Sequence, residues 1–167
     1  GIWRCPLPNY PLKIDPSLLI ERLLVQNFIS IPAPIFKREV ALNAGGLNEN
    51  LWYTADWDFW LKIASCGEAI YYPKPLAAFR VHPTSQTIRR SSYIQDFQKQ
   101  LEVVAKNYFE LWEAPESLKK SIWEVAVFSI EVNTALAAMI HGQKTNLLRL
   151  LYSFFALGHS GWQRYLR

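Results

Sequence analysis

Asp56 and Asp58 open an aromatic-rich segment, Ala55-Asp56-Trp57-Asp58-Phe59-Trp60. A carboxylate at a helix N-terminus is kept ionised by the helix dipole and can take the proton of an attacking hydroxyl as a general base. Residues i and i+2 leave a helix on different sides, so the two acids need not share a task. The plainer role is structural, with Asp56 capping the helix and Asp58 in its first turn, and residue type alone favours it. Upstream, Gly45-Gly46 permits positive φ and close backbone approach, while Asn48, Glu49, Trp52 and Tyr53 offer hydrogen bonds and ring faces to a ligand. Downstream, Arg80 and His82 fall on one face of a strand-like run. Together they suit a diphosphate leaving group, and His82 can also ligate a divalent metal. A solvent-facing histidine at a strand end is the bland alternative.

The elements that must position these groups follow from periodicity and breakers. Four prolines up to Pro16 make the N-terminus an extended segment. Ser17 is expected to cap a helix from Leu18 to Val25, followed by a strand at Phe28–Ile31 and a helix from Ile35 to Leu42 that Gly45-Gly46 stops. A helix capped by Thr54 or Asp56 runs to about Ser65, with Trp57, Trp60, Leu61 and Ala64 as its buried stripe. Ala69–Tyr72 and Leu76–Val81 read as short strands. Helical periodicity then covers Ser92 to Trp112, Pro115 to about Ile140, and Thr145 to Leu157, ending at Gly158. The chain thus divides into a mixed α/β part, residues 1–90, and a mostly α-helical extension, residues 91–167.

With half of its 167 residues hydrophobic and 19% charged, the sequence can bury a core. A net charge of +4 favours anionic partners, but Arg89-Arg90 lacks a surrounding basic stripe, which argues against nucleic acid. Cys5 and Cys66 have no metal-ligand spacing and fit the reduced thiols of a cytoplasmic protein. No leader peptide is expected. Glu124, Glu131 and Asn133 interrupt the longest apolar run, so no membrane span is expected either. Arg149, Trp162, Arg164 and Tyr165 suit peripheral contact with the cytoplasmic face of a membrane.

Taken in order, Phe36-Lys37-Arg38, Gly45-Gly46-Leu47-Asn48-Glu49, Asp56-Trp57-Asp58-Phe59-Trp60-Leu61-Lys62-Ile63-Ala64, Gly67 and Pro73-Lys74-Pro75-Leu76-Ala77-Ala78-Phe79-Arg80-Val81-His82 form a pattern over residues 28–90. That pattern resembles the acceptor-side, C-terminal half of the inverting family 2 glycosyltransferases of the GT-A fold. The resemblance implies transfer of a sugar from a nucleotide-diphospho-sugar donor to a hydroxyl of a saccharide or lipid-linked saccharide acceptor, in polysaccharide and cell-envelope synthesis. Asp56 falls on the general base, although Ala55 replaces the Glu that commonly precedes it. Gly45, Gly46, Asn48, Glu49, Trp52, Tyr53, Asp58 and Arg80 fall on the substrate side, and His82 lies near the metal. The resemblance also implies Mg²⁺ or Mn²⁺ for the whole enzyme, with its main ligands on a donor-binding half that this chain lacks. A non-catalytic helical binding or scaffold module is the alternative, and it leaves the ordered pattern unexplained.

Overall fold

Asp15, rather than Ser17, starts the first helix of the computed structural model, which describes residues 8–78, 80 and 85–166. The Asp15 carboxylate accepts from the N–H groups of Ser17 and Leu18 at 2.9 and 3.3 Å. Pro16 can occupy the first helical position because it has no N–H to leave unpaired, so helix α1 spans Pro16–Val25. Just before it, strand β1 (Leu12–Ile14) pairs antiparallel with β2 (Ala69–Tyr71), placing Leu12 opposite Tyr71 and Ile14 opposite Ala69. Among the described residues this ladder is the whole sheet. The regular structure of residues 8–90 is therefore mainly helical, with two three-residue strands beside it, where a mixed α/β arrangement is expected from sequence.

The two missing strands have local causes. Phe28–Ile31 has the propensity but no partner strand. Its backbone is used otherwise: the Ser30 carbonyl accepts from Ala33 N–H at 2.9 Å in a turn, and the Ile29 carbonyl accepts from the Trp60 indole at 3.1 Å. In the second run Leu76–Ala78 and Arg80 are exposed and irregular, and Pro73 and Pro75 just before it offer no ladder donor. Phe79, Val81 and His82 lie outside the described residues. Helix α2 is shorter than its periodicity predicts, Arg38–Asn43, since Ile35 is 94% exposed and has nothing to pack on.

Helix α3 (Ala55–Ala64) buries Trp57, Asp58, Phe59, Trp60, Leu61 and Ala64, a wider face than one apolar stripe. A short helix α4 (Gln86–Arg90), not anticipated from sequence, leads into α5 (Ile94–Leu111). Then come α6 (Glu116–Ile140) and α7 (Leu147–Ala156), close to their expected bounds. Gly158 does end α7, at φ +64°, but the chain turns there into a further helix, α8 (Gly158–Leu166).

The helical extension shares one core with the N-terminal part. Leu23 and Leu24 of α1, Leu61 of α3, Val104 and Ala105 of α5, and Ile122 and Val125 of α6 are all at most 1% exposed and belong to one cluster. Arg164 of α8 reaches back to Glu21 of α1 at 3.0 Å, and the Trp112 indole donates to Ser17 Oγ at 3.4 Å. Helix α6 is long and apolar enough to cross a bilayer, yet half of its apolar window is buried inside the fold against α1, α5, α7 and α8. Its hydrophobicity is accounted for by its place at the centre of the core.

Ile122→Ala should therefore lower unfolding stability by about 2–5 kcal/mol, the cost of a large-to-small change in a closed core. Urea denaturation followed by tryptophan fluorescence and by far-UV circular dichroism should give one coincident transition. Two separated transitions would mean that the helical extension folds on its own.

Candidate functional site

The two aspartates of α3 meet different surroundings, as their spacing predicts. Asp58, only 6% exposed, accepts from the Tyr108 hydroxyl of α5 at 2.9 Å and pairs with Lys62 Nζ, one turn on, at 2.7 Å. Lys62 also donates to the Gly46 carbonyl at 3.2 Å. Burial, the hydrogen bond to Asp58 and its charge together hold the Tyr108 phenol above its usual pKa. Asp58 is thus committed to holding α3, α5 and the glycine turn together, not to a substrate.

Asp56 faces the other way, into a pocket of about 250 Å³. Its Oδ1 accepts from the Trp57 N–H at 2.7 Å and, at a long 3.4 Å, from the Asn27 amide. Burial raises its carboxyl above the ordinary carboxylate range, and these hydrogen bonds, with one from its own N–H, offset the shift only in part. Tyr53 also lines the pocket. Its ring packs edge-on against Phe97 at 4.3 Å, and its N–H donates to Gln100 Oε1 at 3.1 Å. Burial and then the charge of Asp56 push its phenol up to about 12.

The rest of the polar lining comes from segments that no motif points to. Asn27 follows α1, and Ser129 and Asn133 lie one turn apart on α6, joined by Asn133 Nδ2 donating to the Ser129 carbonyl at 2.8 Å. Trp57, Leu101 and Ile130 form part of the apolar wall. Asn27 Oδ1 and the Thr54 hydroxyl, both at this pocket, are buried without a hydrogen-bond partner among the described residues. Buried polar atoms left in that state are costly unless something hydrogen-bonds to them. The one sequence trace of the α6 contribution is that Asn133 breaks the apolar run of that helix.

The remaining sequence-derived candidates sit elsewhere. Gly45 and Gly46, at φ +83° and +64°, close the C-terminus of α2, their N–H groups donating to Leu42 and Ala41 carbonyls at 3.0 Å. Asn48 uses its side chain in a turn, accepting from Asn50 N–H at 3.0 Å, and Glu49 is exposed. The Trp52 ring lies 5.9 Å from the Arg90 guanidinium, which also donates to the Trp52 carbonyl at 2.7 Å. Arg80 is exposed on the irregular segment after β2 and does not line the pocket. The metal expectation at His82 falls outside the described residues. Among those described, no three His, Cys, Asp or Glu side chains converge into a cation site, so the implied Mg²⁺ or Mn²⁺ finds no ligand set there.

No family model and no solved structure matches this chain. Over 78 residues it is 32% identical to "Uncharacterized protein MT1568" of Mycobacterium tuberculosis (strain CDC 1551 / Oshkosh), a match covering 44% of this chain and 24% of that protein. The chain therefore spans about a quarter of the length of the curated relative it matches.

Opposite stability effects should separate the two acids. Asp58→Ala strands Lys62 and Tyr108 and should cost about 2–4 kcal/mol in urea denaturation, somewhat below a fully enclosed pair because Lys62 keeps partial contact with water. Asp56→Asn should raise the melting temperature at neutral pH. The folded-state pKa of Asp56 lies above its unfolded value near 4, so the stability from its protonated form is complete below about pH 4 and lost as pH rises through the folded pKa. The gain from Asp56→Asn should accordingly shrink as pH falls toward about 4. Thermal melts of both proteins across that range check the sign.

Proposed function

We propose that this chain is the acceptor-side part of an inverting GT-A glycosyltransferase and that Asp56 is its general base. The observation that carries the proposal is the Asp56 carboxylate, at the start of α3 within the Asp-Trp-Asp pattern, lying at a polar-lined pocket that partly desolvates it. A carboxyl with a raised pKa is a stronger proton acceptor once ionised than an exposed one. The same pocket offers Asn27, Thr54, Ser129 and Asn133 as hydrogen-bonding groups and the Tyr53 ring as an apolar face, a mixture suited to a saccharide hydroxyl and its ring.

In this mechanism an acceptor hydroxyl gives its proton to Asp56 as its oxygen attacks the anomeric carbon. The bond from that carbon to the diphosphate oxygen breaks with its electron pair on the leaving group, and configuration inverts. Asp58 acts by positioning, since its clamp on Lys62 and Tyr108 holds the helix from which Asp56 projects. The donor nucleotide, and the divalent metal that supports its diphosphate in this family, belong to a half of the enzyme outside these 167 residues. The chain by itself is expected not to turn over a nucleotide sugar.

In the longer parent protein, Asp56→Asn should reduce kcat by a factor of about 10²–10⁴ while leaving donor binding intact, the loss expected for a general base. Asn133→Leu should raise KM for the acceptor more than it lowers kcat. Full activity in Asp56→Asn, assayed by release of the nucleoside diphosphate, would remove the assignment.

A further inference from the structure

Helix α7 has apolar side chains around most of its circumference, but the fold uses only one side of it. Leu150 and Phe154 turn inward, and the Phe154 ring stacks on Trp162 of α8 with centroids 5.4 Å apart. The opposite side carries Leu147, Leu148, Leu151, Tyr152 and Phe155, between 53 and 79% exposed. These positions, spaced i, i+1, i+4, i+5 and i+8, form one continuous face, and α7 has no fully buried residue. The C-terminal end of α6 adds Leu136, Met139 and Ile140, each more than half exposed. The α7 face is a contiguous apolar surface, which marks a contact site, whereas scattered exposed hydrophobics do not.

Charge indicates what covers it. Residues 132–167 contain Lys144, Arg149, Arg164 and Arg167 and not one Asp or Glu. The preceding 131 residues carry fourteen cationic and fourteen acidic side chains, so the whole net charge of +4 belongs to the segment with the bare apolar face. Arg149 and Arg164 are tied to Glu131 and Glu21 at 2.9 and 3.0 Å, whereas Lys144 lies exposed in the connection that leads into α7. Lys144 is thus the cation beside this face that no acid pairs with among the described residues, and an apolar face edged by such a charge is complementary to hydrocarbon beneath anionic headgroups.

We propose that the outer face of α7, with the end of α6, docks in the plane of an anionic lipid surface. Leu148, Leu151 and Phe155 enter the boundary between headgroups and acyl chains, and Lys144 meets the lipid phosphates. This does not depend on the glycosyl-transfer proposal, because it uses none of the pocket residues.

The test is co-sedimentation of the full chain with vesicles of phosphatidylcholine alone and of phosphatidylcholine mixed with phosphatidylglycerol. Binding is expected to the mixed vesicles only, and to weaken as salt is raised. Leu148→Glu combined with Leu151→Glu should weaken it by roughly 25-fold or more, and Lys144→Gln by about fivefold, taking each charge near the surface at about a factor of five. Both substituted leucines are exposed, so circular dichroism and melting temperature should not change. Absence of binding to the mixed vesicles overturns the proposal, as does undiminished binding by the double variant. A dimer seen by light scattering that the double variant dissolves, with no vesicle binding, would assign the face to a second copy of the chain instead.

Discussion

Helix α3 is enclosed on most sides, and the buried Asp58 carboxylate must be neutralised where it lies. Lys62 and Tyr108 do this together, one from the next turn and one from α5. An isolated buried charge would cost several kcal/mol, so the three groups are bound to one geometry. Lys62 extends the constraint to the turn after α2 through the Gly46 carbonyl. The indoles of Trp57 and Trp60 fix the helix further, donating to the Leu23 and Ile29 carbonyls at 2.7 and 3.1 Å. With these sides committed to packing, Asp56 is the acid left at the pocket. The alternation in Asp-Trp-Asp thereby separates a structural carboxylate from a chemically available one.

Legibility from sequence follows the range of the interactions concerned. The long helices α5 and α6 could be read because periodicity is local, and both lie close to their expected bounds. Phe28–Ile31 misled because β propensity describes fit to a sheet, and among the described residues no strand pairs with it. Helix α8 was hidden because Gly158, a sound stop signal, also sits where the next helix begins. In the site, Asp56 could be singled out by the ordered pattern around it, although residue type alone favours a helix cap. Asn27, Ser129 and Asn133 could not, since only the packing of α6 beside α1 and α5 brings them to the same pocket. The double glycine suits both a helix stop and close approach of a ligand, and its backbone closes the helix and accepts from Lys62.

Helix α6 gives the molecule its mechanical unity. The face that supplies Ile122 and Val125 to the core supplies Ser129 and Asn133 to the pocket further along, and its last turns carry Leu136, Met139 and Ile140 outward. A helix with so apolar a composition suggests a membrane span when read as a string. Folded, it divides its apolar surface between a closed core and a bare end, and the polar breaks fall where the pocket needs them. Composition alone cannot distinguish these arrangements, because both bury the same residue types.

A rigid element shared by two surfaces fixes the distance between them. Ser129 and Leu136 are seven residues apart on α6, about 10 Å along its axis at the α-helical rise. Changing that separation requires bending a helix whose N-terminal half is locked into the core by residues almost free of solvent contact, Ile122 and Val125 among them. The pocket therefore keeps a constant position along α6 relative to the apolar end, whatever that end contacts. This constancy comes from helix rise and core packing rather than from any residue in the motif.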